Sequence, residues 1–170
     1  MRTRARVIAS LTLAAFCACG RGHYAVPTNA TDTQEREIKT DSLTFRAAML
    51  VGNQSPRIVR AEITVLNTGE RPIALLVPGG CPVAFQLFKT PPSEGRQVWD
   101  SRRARSSMGC ALSLVPASID PGHSQVFGRE DEIADVLGDS LPAARYYVRS
   151  LLRLDQDSIT LYAGEVTLSK

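Results

Sequence analysis

At 170 residues, the chain has the length of one domain with a core of its own. Its formal net charge is +3, an excess of 20 basic over 17 acidic side chains, and Arg2, Arg4 and Arg6 account for all of it. The rest of the chain is electrically balanced, which excludes the basic field that a nucleic-acid-binding domain needs.

Those three arginines open an export signal. They form a positive n-region, residues 7–16 an apolar h-region of about ten residues, and Ala18 places a small side chain before Cys19. The apolar core is too short to cross a bilayer as a helix of ~20 residues, so the mature chain is expected to work outside the cytoplasm. The segment resembles bacterial lipoprotein signals, in which the cysteine after a small residue is acylated and becomes the new N-terminus. Residues 1–19 are thus the expected signal and Cys19 the expected lipidation site. Phe16 and Cys17 depart from the usual aliphatic and small residues upstream, which leaves free secretion as the alternative. Residues 20–40 are polar, show no period of 2 or 3.6, and read as a flexible tether to a domain at 41–170. No later apolar run reaches spanning length, so a lipid on Cys19 is the only membrane attachment expected.

From Leu43 onward short stretches alternate with period 2, as half-buried antiparallel strands do. Leu43, Phe45, Ala47 and Met49 form the inward face of the first. Val59, Ala61, Ile63 and Val65 do so in the second, and Asn67-Thr68-Gly69-Glu70 then supplies turn chemistry before extended structure resumes at 73–77. These two segments read as a hairpin. Pro78-Gly79-Gly80 breaks the run, and Val83, Phe85 and Leu87 share a face in the next strand. A turn at 90–95 leads into 97–101, giving a second hairpin. Residues 111–115 make a short strand, Asp120-Pro121-Gly122-His123 a turn, and 124–129 another strand. EDEIADVL at 130–137 is the one helix expected, with Ile133, Val136 and Leu137 at helical spacing and Gly138 as its stop. Residues 145–154 and 159–168 close the domain around a turn at Asp155-Gln156-Asp157-Ser158. The spacing predicts an all-β, antiparallel β-sandwich of seven to nine strands with one short helix.

Processing removes Cys17 and leaves Cys19 in the tether or under lipid, so Cys81 and Cys110 are the domain's only pair. In an oxidising compartment such a pair is expected as a disulfide. It would close a loop of about 29 residues, which the chain-entropy model values at about 3.6 kcal/mol.

Catalytic chemistry is scarce. Nucleophilic catalysis normally needs a base within hydrogen-bond reach, and the two histidines, His23 and His123, lie in the tether and in a turn. No GxSxG elbow, HExxH pair or P-loop occurs. Cys81, Met108, Cys110 and His123 are soft or borderline ligands in predicted loops, but their order does not match a blue-copper site, and a disulfide would consume both thiolates. Asp155 and Asp157 lack the further oxygen ligands of a calcium loop and read as turn formers. Arg102, Arg103 and Arg105 read as a solvated loop, and Trp99 as a packed side chain. No catalytic, metal-binding or cofactor-binding residue is therefore expected.

The order of elements resembles the BsuPI-type intracellular proteinase inhibitor family over residues 58–154. ITVLNTGERPIALLV looks like that family's strand, Asn-containing turn and strand. VAFQLF followed by GRQVWDS looks like its hairpin with a G-x-x-V-W step at Gly95, Val98 and Trp99. IDPGHS matches its Pro-Gly turn and ARYYVRSLL its late Tyr-containing strand. Phe127 stands where the family often has Trp, Pro142-Ala143-Ala144 where it often has Pro-Gly, and the Cys81/Cys110 pair is outside the pattern. The resemblance implies an immunoglobulin-like sandwich and a non-enzymatic binding module whose protein partner is a proteinase. Loops 78–82 and 102–109, or an edge strand, would meet that partner. The alternative is a structural or assembly lipoprotein of the envelope without inhibitory activity.

Overall fold

The computed structural model describes residues 37–104, 110, 113–138 and 141–169, so Cys19 and residues 20–36 lie outside it. Ten strands are described: β1 (Glu37–Lys39), β2 (Leu43–Val51), β3 (Ile58–Asn67), β4 (Ile73–Pro78), β5 (Val83–Phe88), β6 (Gln97–Asp100), β7 (Leu114–Ile119), β8 (Ser124–Glu132), β9 (Ala144–Arg153) and β10 (Ser158–Leu168). A 3-10 turn at Ser101–Arg103 follows β6, and the short helix α1 (Ile133–Leu137) joins β8 to β9.

Alternation decides which side chains meet. In β3, Val59, Ala61, Ile63 and Val65 are fully buried while Arg60, Glu62 and Thr64 keep partial contact with solvent. Leu43, Phe45, Ala47 and Met49 of β2 face the same way. Complete burial of one such aliphatic side chain contributes about 1.5–3 kcal/mol, so a one-residue slip that turned this row outward would forfeit most of the layer's stability. The first sheet runs β1-β2-β3-β8 and the second β10-β9-β5-β6, every pair antiparallel. Phe45 and Ile63 from the first layer pack in one core with Phe85, Leu87, Tyr146, Val148 and Leu161 from the second.

The connectivity is immunoglobulin-like. In that notation β2, β3 and β8 take places A, B and E, and β5, β6, β9 and β10 take C, C′, F and G. Near the start of β9, the Tyr146 hydroxyl donates to the Pro142 carbonyl at 2.6 Å. A tyrosine on strand F bonding to backbone a few residues upstream is the corner that marks this class of sandwich.

Four boundaries differ from expectation, each for a local reason. Among the described residues the sandwich extends back past 41 to Glu37, because Glu37, Ile38 and Lys39 pair with Arg46, Phe45 and Thr44. A three-residue edge strand is too short to show a period. The strand expected at 111–115 is β7 at Leu114–Ile119, which contains Pro116; a proline is tolerated where its missing N–H faces away from the ladder. The expected helix loses its first three residues to β8. There Arg129 and Asp131 point inward with Phe127, so strand alternation continues to Glu132 and only five residues remain helical.

The fourth difference is one of pairing. The expected hairpin between β3 and β4 does not form: β3 lies against β8, and β4 against β7. Asn67, fully buried, causes the change of partner. Its side-chain amide donates to the carbonyls of Arg71 and Ile119, both at 2.8 Å, and its carbonyl oxygen accepts from Gly69 N–H at 2.9 Å. Its backbone meanwhile bonds to His123 and Gly122 across the way. Gly122 supplies the φ of 72° that follows Pro121 in a type II turn closed from His123 N–H to Asp120. Both strands of one ladder thus bend at the same level and continue as the two-stranded β4–β7 ribbon. The β5–β6 and β9–β10 hairpins form as expected.

Candidate functional site

The β4–β7 ribbon is fixed at both ends. Asn67 holds its root, and at its tip the ladder extends through Gly79 N–H to the Ser113 carbonyl at 2.8 Å. Beyond that rung Cys81 and Cys110 form the expected disulfide, with their Cα atoms 5.3 Å apart. Leu75, Val77 and Ile119 bury one face of the ribbon. The register places Leu76 opposite Pro116 and diagonal to Leu114 on the other face. That face is open: Leu76 is 45% exposed and Leu114 41%; Val115, opposite Val77 on the other face, emerges to 43% near the tip. These side chains adjoin loop 78–82, one of the two loops expected to meet a partner.

The second expected loop, 102–109, is described only through Ala104. Its start is held firmly. Ser101 Oγ accepts the Phe85 N–H at 2.9 Å, so a side chain takes the place of the departing strand's backbone. Asp100 caps the 3-10 turn through Arg102 N–H and receives the Arg102 guanidinium at 2.6 Å and Gln86 Nε2 at 3.0 Å. Burial pushes the Asp100 carboxyl up, but the hydrogen bonds from the Arg102 side chain, Gln86 and the Arg102 backbone outweigh it and hold the group at about 2.

Around the disulfide, Arg102, Arg129 and Arg153 line a cavity of about 130 Å³. Arg129 is the deepest of them. Its Nε and Nη2 donate to the two oxygens of Asp131 at 2.7 and 3.0 Å, and both side chains are almost wholly buried. Sequence reasoning missed this pair by assigning Asp131 to a helix. The signal was present in the alternation Phe127, Arg129, Asp131, which a strand explains better than a cap.

The remaining candidates are placed as follows. His123 is exposed in its turn, with Nδ1 3.1 Å from the Pro121 carbonyl. Cys81 and Cys110 are bonded to each other, and Met108 lies outside the described residues. Among the described residues no group of three or more His, Cys, Asp or Glu is arranged to hold a metal ion. Asp155 and Asp157 are exposed in the β9–β10 turn, where the Asp157 carbonyl accepts from Leu154 N–H. Trp99 packs on Phe85 with ring centroids 4.9 Å apart.

No family model matches the chain, and no curated protein matches it. Among solved structures it is similar to a β-glucosidase from Erythrobacter marinus, at 15% identity over 75% of this chain and 15% of that one, with a TM-score of 0.39. It is also similar to β-glucosidase 3B from Thermotoga neapolitana, at 18% identity over 75% and 17% of the two chains, with a TM-score of 0.34. A third likeness is to an alkylpurine DNA glycosylase from Pseudomonas fluorescens, at 15% identity, 62% and 25% coverage and a TM-score of 0.29. The chain spans less than a fifth of the length of either glucosidase, and likenesses this distant assign neither family nor activity.

Proposed function

We propose that this protein is a non-enzymatic binding module exported to the bacterial cell envelope, where the β4–β7 ribbon and the loops beside the disulfide engage a protein partner. The observation that carries the reading is the exposed pair Leu76 and Leu114, side by side on the open face of a ribbon immobilised by Asn67 and by Cys81–Cys110. Contiguous exposed apolar side chains mark interaction surfaces. A surface already held in one conformation loses little entropy on binding. The BsuPI-type resemblance names a proteinase as the partner class, and the export signal places the encounter outside the cytoplasm, with Cys19 as the anchor.

A panel of secreted serine and metalloproteinases, assayed with the purified mature protein in molar excess, tests the reading. Inhibition of at least one member is expected, and Leu76→Asp or Leu114→Asp should abolish it while leaving the urea midpoint unchanged. Full activity of every proteinase in the panel would remove the inhibitor assignment. Inhibition that survives both substitutions would remove the ribbon.

A further inference from the structure

The outer face of the second sheet carries a groove that shares no residue with the ribbon. Its volume is about 840 Å³, inside the range of about 300–1,000 Å³ typical of small-molecule sites. Strands β9 and β10 contribute Tyr147 and Tyr162, whose rings lie near parallel, at 26°, with centroids 6.5 Å apart. Pro91 and Pro92 border the groove on the side of the β5–β6 loop, and Glu37 and Ile38 on the side of β1.

A backbone irregularity shapes it. Residues three apart on a regular strand point to opposite faces, yet Tyr162 and Glu165 both line the groove. The register of β10 shifts between Tyr162 and Gly164, and Gly164 takes a φ of 93°, a conformation that glycine adopts without a Cβ clash. The extra residue brings Glu165 back to the face that Tyr162 already occupies.

The charged groups of the lining are each held by a neighbour. Arg145 forms an ion pair with Glu165. Arg149 donates to the Pro92 carbonyl at 3.1 Å and lies 4.8 Å from the centroid of the Phe88 ring. Lys39 and Arg46 bond to Glu37 at 2.6 and 2.7 Å and hold its carboxyl below the usual range. Two arginines and two glutamates line the groove, and each of the two carboxylates is bonded to basic side chains.

We propose that this groove binds a saccharide. Aromatic rings offer faces against which the apolar face of a sugar ring can lie, and fixed guanidinium and carboxylate groups offer donors and acceptors side by side. Sugar hydroxyls both donate and accept, so they satisfy both kinds of group. A polyproline segment, the other ligand of aromatic-lined grooves, supplies only carbonyl acceptors and cannot donate to the lone pairs that the Glu37 and Glu165 carboxylates have beyond their basic partners. Burial raises the Tyr162 hydroxyl above its ordinary range, and the Glu165 charge adds to the shift, so the group stays protonated and able to donate at neutral pH.

Saturation-transfer NMR and calorimetry on the mature protein, with maltotriose, cellotriose, tri-N-acetylchitotriose and a decaproline peptide as probes, test the proposal. At least one trisaccharide is expected to bind. Tyr147→Ala and Tyr162→Ala should each weaken that binding by about tenfold, Tyr162→Phe less, and Leu76→Asp not at all. Should an alanine variant fail to fold, Glu165→Gln, expected to weaken binding severalfold, takes its place. Absence of binding by all three trisaccharides, binding of decaproline in their stead, or affinity unchanged in the folded groove variants would overturn the assignment.

Discussion

Asn67→Ala is expected to destabilise the domain by about 3 kcal/mol, at roughly 1 kcal/mol for each of three side-chain hydrogen bonds lost. Alanine leaves the Ile119 carbonyl and the Gly69 N–H without the partners that Asn67 gives them, at a site with no solvent exposure. Near the melting temperature a domain of about 130 residues has an unfolding entropy of roughly 0.27 kcal/mol/K, so the loss corresponds to a drop of roughly 10 °C in Tm. Asn67→Asp should cost more. It exchanges an amide that donates to two carbonyls for an oxygen that faces both and cannot donate. Urea denaturation of the mature protein with its disulfide intact measures the change, and an unaltered m-value would show that only stability moved. If Asn67→Ala shifted stability by under about 0.5 kcal/mol, the range of surface substitutions, the side chain would not be what joins the two ladders.

Two further predictions concern buried charge. Arg129→Ala should destabilise by about 3–5 kcal/mol because it takes the bidentate guanidinium away from the buried Asp131 carboxylate, whereas the double variant Arg129→Met/Asp131→Leu should recover most of that loss in the same urea assay. The Asp100 carboxyl, held at about 2 in the folded state against about 3.9 when unfolded, adds stability that is complete above pH 4 and vanishes as pH falls toward 2. Because Arg102 is half exposed, the contribution is about 1–2 kcal/mol. The stability gap between the protein and Asp100→Asn should therefore narrow by that amount between pH 6 and pH 2.

Much of the fold could be read from local pattern. The buried faces of β2 and β3 follow from strict alternation, and the β5–β6 and β9–β10 hairpins from turn residues that join consecutive strands. What escaped depends on partners distant in sequence. Asn67 looks like any turn former until Ile119, 52 residues away, is seen to accept its amide hydrogen. Asp131 looks like part of a charged helix start and Arg129 like the solvated end of a strand, because charge is the usual sign of solvent, and only the layer beneath them shows that they are enclosed. Of the candidate site, the cysteine pair was legible from compartment and count. The exposed pair on β4 and β7 was not, since exposure there follows from an exchange of strand partners. Tyr147 was visible within the late Tyr-containing strand, but alternation says nothing about Tyr162 beside it on the next strand or about the Pro91–Pro92 wall that borders both.

The Cys81–Cys110 bond also ties off a ring of chain that contains β5, β6 and the 3-10 turn. A single peptide bond hydrolysed anywhere from residue 82 to residue 109 would leave the two fragments joined through sulfur, and β5 still clamped between β9 and β6. A module that presents loops to a cleaving enzyme could in this way be nicked once and still remain assembled.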